Sequence, residues 1–250
     1  MANWSDPWTN GAATASVGTR TASHDAGLRS YMLSVYNYMT SGVLLTGIVS
    51  LLFAKWLGVD QGPQVAAAHL ASLGPLRLVI MLAPLGFVMV LSFGINRLST
   101  VAAQAMFWAF AAVMGLSLST IFIVYTYASV AQTFFASAAA FAGLSLWGYT
   151  TKRNLTGMGQ FLIMGVVGIL VAMLINMFLQ SGPLDLVISV LGVLLFAGLT
   201  AYDTQKIKSM YFAVQGSEFA AKSVVMGALT LYLDFINMFM FLLRFMGNRR

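Results

Sequence analysis

Seven apolar runs of about 19–25 residues, separated by polar connections, leave this chain one kind of environment to fold in. They are Tyr31–Ala54, Leu78–Asn96, Val101–Tyr125, Ser129–Thr150, Met158–Gln180, Leu186–Lys206 and Ser223–Met246. At about 1.5 Å of rise per residue, each reaches across a ~30 Å hydrocarbon core. No water is available there for backbone N–H and C=O groups, so each run must close its hydrogen bonds within itself as a helix. The alternating pattern of a barrel strand is absent. The expected fold is an all-α membrane protein with seven transmembrane helices.

Charge supports this reading and excludes others. Only 8% of the residues are charged, and 59% are hydrophobic, whereas soluble domains carry about 25% charged residues. The net charge of +6 is spread between the apolar runs, as topology determinants are, so it argues against nucleic acid as a partner. With no cysteine, disulfides, thiolate metal sites and cysteine nucleophiles are excluded. Residues 1–29 are polar and carry no signal-peptide-like apolar segment, which predicts a flexible tail ahead of a membrane domain at 30–250.

Lysine and arginine set the orientation. An N-terminus inside puts Arg20, Arg29, Arg97, Lys152, Arg153, Lys206, Lys208 and Lys222 in the cytoplasm. Lys55, Arg77, Arg249 and Arg250 then lie outside, with Arg244 at the end of the last helix. The balance favours N-inside. The Arg249-Arg250 pair argues the other way and leaves a re-entrant last span open. Pro183 marks a turn, and Pro84 predicts a kink or local opening. The small residues Ala136 to Ala140, Gly143, Gly165 and Gly168 read as helix-packing positions, and the methionines and phenylalanines as filler. His24 and His69 lie outside the spans and do not look like ligands.

Two aspartates stand out. Asp203 sits in Ala201-Tyr202-Asp203-Thr204-Gln205-Lys206-Ile207, and Asp234 in Leu231-Tyr232-Leu233-Asp234-Phe235-Ile236-Asn237. A carboxylate at the bilayer centre costs roughly 2.5–3.5 kcal/mol, so such a residue faces the protein interior and is a functional candidate. The midpoint between them falls beside the turn-like Gln215-Gly216-Ser217-Glu218, so a helical hairpin folded there brings both to one height. Desolvation and mutual repulsion then disfavour having both charged, and the pair holds one proton between them. Two readings stay open for Asp203: a member of this pair, or a solvated group at a helix end beside Lys206 and Lys208. For Asp234 the alternative is a structural hydrogen bond to a neighbouring helix. Arg97, in the turn Gly94-Ile95-Asn96-Arg97-Leu98 on the same side, is the candidate cation, or else a plain positive-inside anchor.

The two aspartate segments, with Leu242-Leu243-Arg244-Phe245, resemble the last two helices of the Bax inhibitor-1 (transmembrane Bax inhibitor motif) family. Its bacterial YccA-like and YetJ-like members are the most similar, over Tyr31 to Arg250. The resemblance implies a seven-helix fold with the last helix central, surrounded by the other six. It implies a pH-sensitive calcium leak channel, gated by a paired-aspartate proton sensor, in a bacterial inner membrane. Carried over by motif, the sensor and ion pathway fall on Asp203, Asp234 and Arg97. The two aspartates also serve as transient Ca²⁺ ligands, with no resident cofactor. The long segment between the aspartates places the chain nearer the YccA-like branch, which implies a membrane-bound ATP-dependent protease as a partner. The alternative function is then a membrane-embedded regulator that transports no ions. An intramembrane aspartyl protease also uses two aspartates on adjacent helices. Its second aspartate follows a glycine-rich turn, whereas Asp234 follows Leu231-Tyr232-Leu233, so no enzymatic activity is expected.

Overall fold

A computed structural model describes the backbone of residues 9–95 and 97–250, and the side chains from residue 26 onward apart from residue 96. Residues 1–8 of the polar tail therefore lie outside the described residues. Among the described residues, seven helices are long and apolar enough to cross a membrane. They belong to α1 (Thr9–Trp56, apolar over Ala26–Trp56), α3 (Leu76–Gly94), α4 with α5 (Thr100–Leu118 and Ile121–Val124), α6 (Tyr127–Thr150), α7 (Thr156–Leu179), α8 (Gly182–Val214) and α9 (Phe219–Met246). The connection after Lys55 is largely ordered, holding a short 3₁₀ turn (Val59–Gln61) and α2 (Pro63–Ser72).

Polar residues punctuate the spans as capping chemistry requires. Ser99, Thr126 and Ser181 each accept a hydrogen bond from the backbone N–H three residues on, at the starts of α4, α6 and α8. Gln180, in the left-handed conformation at φ 49°, ends α7 and makes the turn; Pro183 sits in the first turn of α8. Pro84 is buried inside α3, which continues as one helix through it. The third span breaks after Leu118, where Ser119 and Thr120 bond back to carbonyls three residues earlier.

α9 is the centre of the bundle. Two-thirds (67%) of its apolar window is buried, against 11% for α3 and α7. It packs chiefly against four helices, α1, α4, α6 and α8, while α3 leans on α4 and α7 on α8 from outside. α9 is central as expected, with four close neighbours and two looser ones, α7 joining it through the buried cluster of Ile169, Ile188 and Phe241. At the heart of the core, the Tyr232 ring meets Phe110 and Phe107 edge-to-face at 5.2 and 6.2 Å, and Val35 and Met238 are fully buried in the same cluster. In lipid such packing is held by dispersion and interhelical hydrogen bonds rather than by exclusion of water.

Glycines decide where helices touch. A Cβ on Gly115 would meet the Thr46 carbonyl oxygen of α1 at 2.7 Å, and one on Gly148 would run into the Ala201 backbone of α8. By contrast, a Cβ on Gly143 or Gly168 would meet nothing within 4 Å, and Ala136, Ala139 and Ala140 are exposed. Of the small residues expected at helix contacts, Gly165 is at one, against Leu195. Ser137 is buried and Ala138 packs against the central cluster, whereas Ala136, Ala139, Ala140, Gly143 and Gly168 face outward because helix rotation, which composition does not encode, turns them there.

The last span is not re-entrant. α9 runs unbroken from the α8–α9 turn to the opposite end of the bundle. There the C-terminal residues join other elements: Asn248 C=O accepts from Thr126 N–H, and Arg250 N–H donates to Val124 C=O. The Arg250 guanidinium donates to Val59 C=O and stands 5.0 Å from the Tyr127 ring centroid. Asp185, in the first turn of α8, is paired with Arg244 and lies 3.8 Å from Arg249. The cations that argued against a C-terminus at this end are therefore held by local partners.

Candidate functional site: a buried carboxylate pair

α8 and α9 form an antiparallel hairpin and make the most extensive helix contact in the bundle. Gly216 at φ 77° supplies the left-handed turn between them. On α8, Thr200, Asp203, Thr204, Ile207 and Tyr211 are buried at three- and four-residue spacing, one continuous stripe. On α9, Leu231, Tyr232, Asp234, Phe235 and Met238 are buried. The two stripes face each other, and each carries one aspartate.

The Asp203 and Asp234 carboxyl groups lie within side-chain hydrogen-bonding reach. Their residues are 8% and 5% exposed. Two ionised carboxylates have only acceptors to offer, so this contact is a hydrogen bond when one of them carries a proton. Asp234 Oδ2 is buried and, apart from what a protonated Asp203 would supply, accepts no hydrogen bond among the described residues. On the α6 side, Thr204 Oγ1 donates to Ser145 Oγ at 3.4 Å.

The fold decides the alternative reading of Asp203. Asp203 is not a solvated helix end, because α8 continues to Val214 and the side chain is buried. For Asp234, the hydrogen-bonding neighbour is Asp203 itself.

A second cation stands beside Arg97 as a candidate. Lys206, one turn beyond Asp203, is the positive group whose field acts on both carboxyls. Arg97 lies in the α3–α4 turn with its residue exposed. The signal for Lys206 was present in the sequence as an i, i+3 Asp–Lys pair on one helix. Its weight came from α8 continuing past the lysine, which holds the pair rigidly. Among the described residues no group of three His, Cys, Asp or Glu side chains converges. A calcium ion passing here would find two carboxylates, against the 6–8 oxygens of a storage site.

Residues 28–250 match the family model described as inhibitor of apoptosis-promoting Bax1. The chain belongs to the Bax inhibitor-1 family. Bacterial relatives agree over nearly the full length. The inner membrane protein YbhL of Escherichia coli is 44% identical over 227 residues, 90% of this chain and 94% of its own. The protein RP147 of Rickettsia prowazekii is 43% identical over 237 residues, 95% of this chain and 97% of its own. A Caulobacter vibrioides protein is 44% identical over 228 residues, covering 90% and 91%. In this Bax inhibitor-1 family protein, the aspartates that carried the resemblance are the pair that meets at the α8–α9 contact.

Proposed function

We propose that the protein is a pH-sensitive calcium, or cation, leak of a bacterial inner membrane, with Asp203 and Asp234 as its proton sensor and transient Ca²⁺ ligands. The observation that carries this reading is the contact between two buried carboxyl groups on adjacent spanning helices. A fold that only needed a hydrogen bond there could use asparagine and avoid the cost of an ionisable group in lipid. Two carboxylates give a cation a foothold without a deep well, and conduction requires binding weak enough to release. Lys206 takes the part expected of Arg97, setting the balance between the charged and shared-proton states. The reading assigns the protein no enzymatic reaction and no resident cofactor. The inner-membrane location extends to this chain what the name of the E. coli relative states of that protein, with the N-terminus and the α8–α9 turn in the cytoplasm.

The test is Ca²⁺ entry into proteoliposomes at pH 6 and pH 8. Wild type is expected to leak at rates that differ between the two, and Asp203→Asn and Asp234→Asn to abolish the difference. Equal flux and an unchanged pH response in both variants would sink the proposal.

One feature favours a regulator that binds a membrane protease or other partner. With 33 residues, α8 is about 50 Å long, whereas the 24-residue α6 and α7 are about 36 Å. Its last turns pass the α6–α7 connection and present Phe212 to solvent. Replacing residues 212–219 with a short glycine-serine turn separates the readings. Partner binding that this replacement abolishes, in a protein whose wild type shows no Ca²⁺ flux, favours the regulator.

A further inference from the structure

Beside the carboxylate pair, at the α8–α9 turn end of the bundle, lies a cavity of about 430 Å³ between the α6–α7 connection and α8. Four cations line it, Lys152 and Arg153 from the connection and Lys206 and Lys208 from α8, and no acidic side chain does. These are four of only thirteen lysines and arginines in the chain, so the clustering exceeds the scatter that topology alone demands. Like charges gathered in a concave site repel unless an anion sits among them.

The walls are fixed in place by hydrogen bonds. Gln205 reaches from α8 to the connection, its Nε2 donating to Arg153 C=O at 2.8 Å and its Oε1 accepting from Leu155 N–H at 2.9 Å. Lys208 Nζ donates to Tyr149 C=O at 2.8 Å and stands 4.9 Å from the Tyr149 ring centroid. Lys206 Nζ is 5.9 Å from the ring centroid of Tyr202, which also lines the cavity. The 24-residue α7 starts at its rim with Thr156, whose N–H donates to Asn154 Oδ1 at 2.9 Å. The positive end of that helix therefore adds to the field in the cavity.

We propose that this cavity binds a phosphate-bearing anion. Lysines act on phosphate as point charges, and Arg153 can engage two of its oxygens at once. The same chemistry is presented by the headgroup of an anionic phospholipid and by a soluble phosphate compound. An anion here partners Lys206, the cation whose field reaches Asp203 and Asp234, so occupancy shifts the pair toward its shared-proton state. The binding site stands whether or not the protein conducts calcium.

The experiment measures the full chain's thermal unfolding in three settings: detergent with inorganic pyrophosphate, phosphatidylcholine nanodiscs, and nanodiscs containing phosphatidylglycerol. Stabilisation by phosphatidylglycerol alone assigns the site to lipid; saturable stabilisation by pyrophosphate assigns it to a soluble phosphate. In either case the Lys152→Gln/Arg153→Gln variant should bind about 25-fold more weakly, roughly five-fold per cation. Arg29→Gln, an exposed arginine at the same end on α1, should bind as wild type. No stabilisation by either anion overturns the proposal. So does an equal effect on wild type and the double variant, or an equal loss in Arg29→Gln.

Discussion

Tyr232 and Thr46 share a hydrogen bond of 2.7 Å in the centre of the bundle, joining α9 to α1. Thr46 Oγ1 also donates to Ala111 C=O on α4 at 2.7 Å. A hydroxyl has one proton to give, so Tyr232 O–H donates to Thr46, and three helices are linked in a single chain of bonds. Two residues along α9 from Asp234, this node anchors the helix that carries it. Thr46→Val removes the acceptor and leaves the buried Tyr232 hydroxyl unsatisfied, whereas Tyr232→Phe removes the donor with it. Chemical unfolding in mixed micelles should show Thr46→Val costing about 1–2 kcal/mol and Tyr232→Phe about 0.6 kcal/mol. The double variant should cost less than the sum.

The glycines separate contact from lipid. Gly148→Ala pushes a methyl into the Ala201 backbone and should lower stability by about 1–3 kcal/mol. Gly168→Ala meets nothing within 4 Å and should raise it by up to ~1 kcal/mol through helix propensity. Thermal unfolding in detergent checks both. A destabilised Gly168→Ala would mean that α7 packs against a further helix.

At the opposite end, Asp185 holds Arg244 with both side chains about three-quarters buried, at 22% and 28% exposure. This pairing was not legible beforehand, because Asp185 reads as an ordinary helix-start acid. Asp185→Asn should cost roughly 1–2 kcal/mol, between the values for exposed and buried ion pairs. Combining it with Arg244→Gln should recover part of that loss, as the uncompensated guanidinium disappears.

The choice between two cations is testable in proteoliposomes. Lys206→Gln withdraws the field that favours the ionised carboxyls, so the shared-proton state persists to higher pH. If the pair gates a leak as proposed, the midpoint of its flux response should move upward. Arg97→Gln, exposed in the α3–α4 turn, should leave that midpoint in place. The reverse outcome would restore Arg97 as the partner.

With no cysteine in the chain, sidedness can be read from single introduced thiols. Gly216→Cys and Arg250→Cys lie at opposite ends of α9. In intact cells an impermeant maleimide should label Arg250→Cys and spare Gly216→Cys until the membrane is permeabilised. Labelling of both from the same side would contradict the spanning of α9.

What the sequence determined by itself was the solvent and the spacing. Seven apolar runs require seven helices because lipid offers the backbone no other hydrogen-bond partner, and most of their ends shift by only a few residues in the fold, though α8 runs on from Lys206 to Val214. The separation of Asp203 from Asp234 about a turn-like centre was enough to predict one height, since an antiparallel hairpin fixes depth by counting residues. Rotation is different. Whether Gly148 or Gly143 faces a neighbour depends on which side each helix turns inward. So does the gathering of Lys152, Arg153, Lys206 and Lys208 around one cavity. These were settled by the packing of α1, α4, α6 and α8 around α9, where close approach of backbones selects one set of faces. An apolar span is hydrophobic on all sides in lipid, so it carries almost no amphipathic signal of its orientation, and only the assembled bundle decides it.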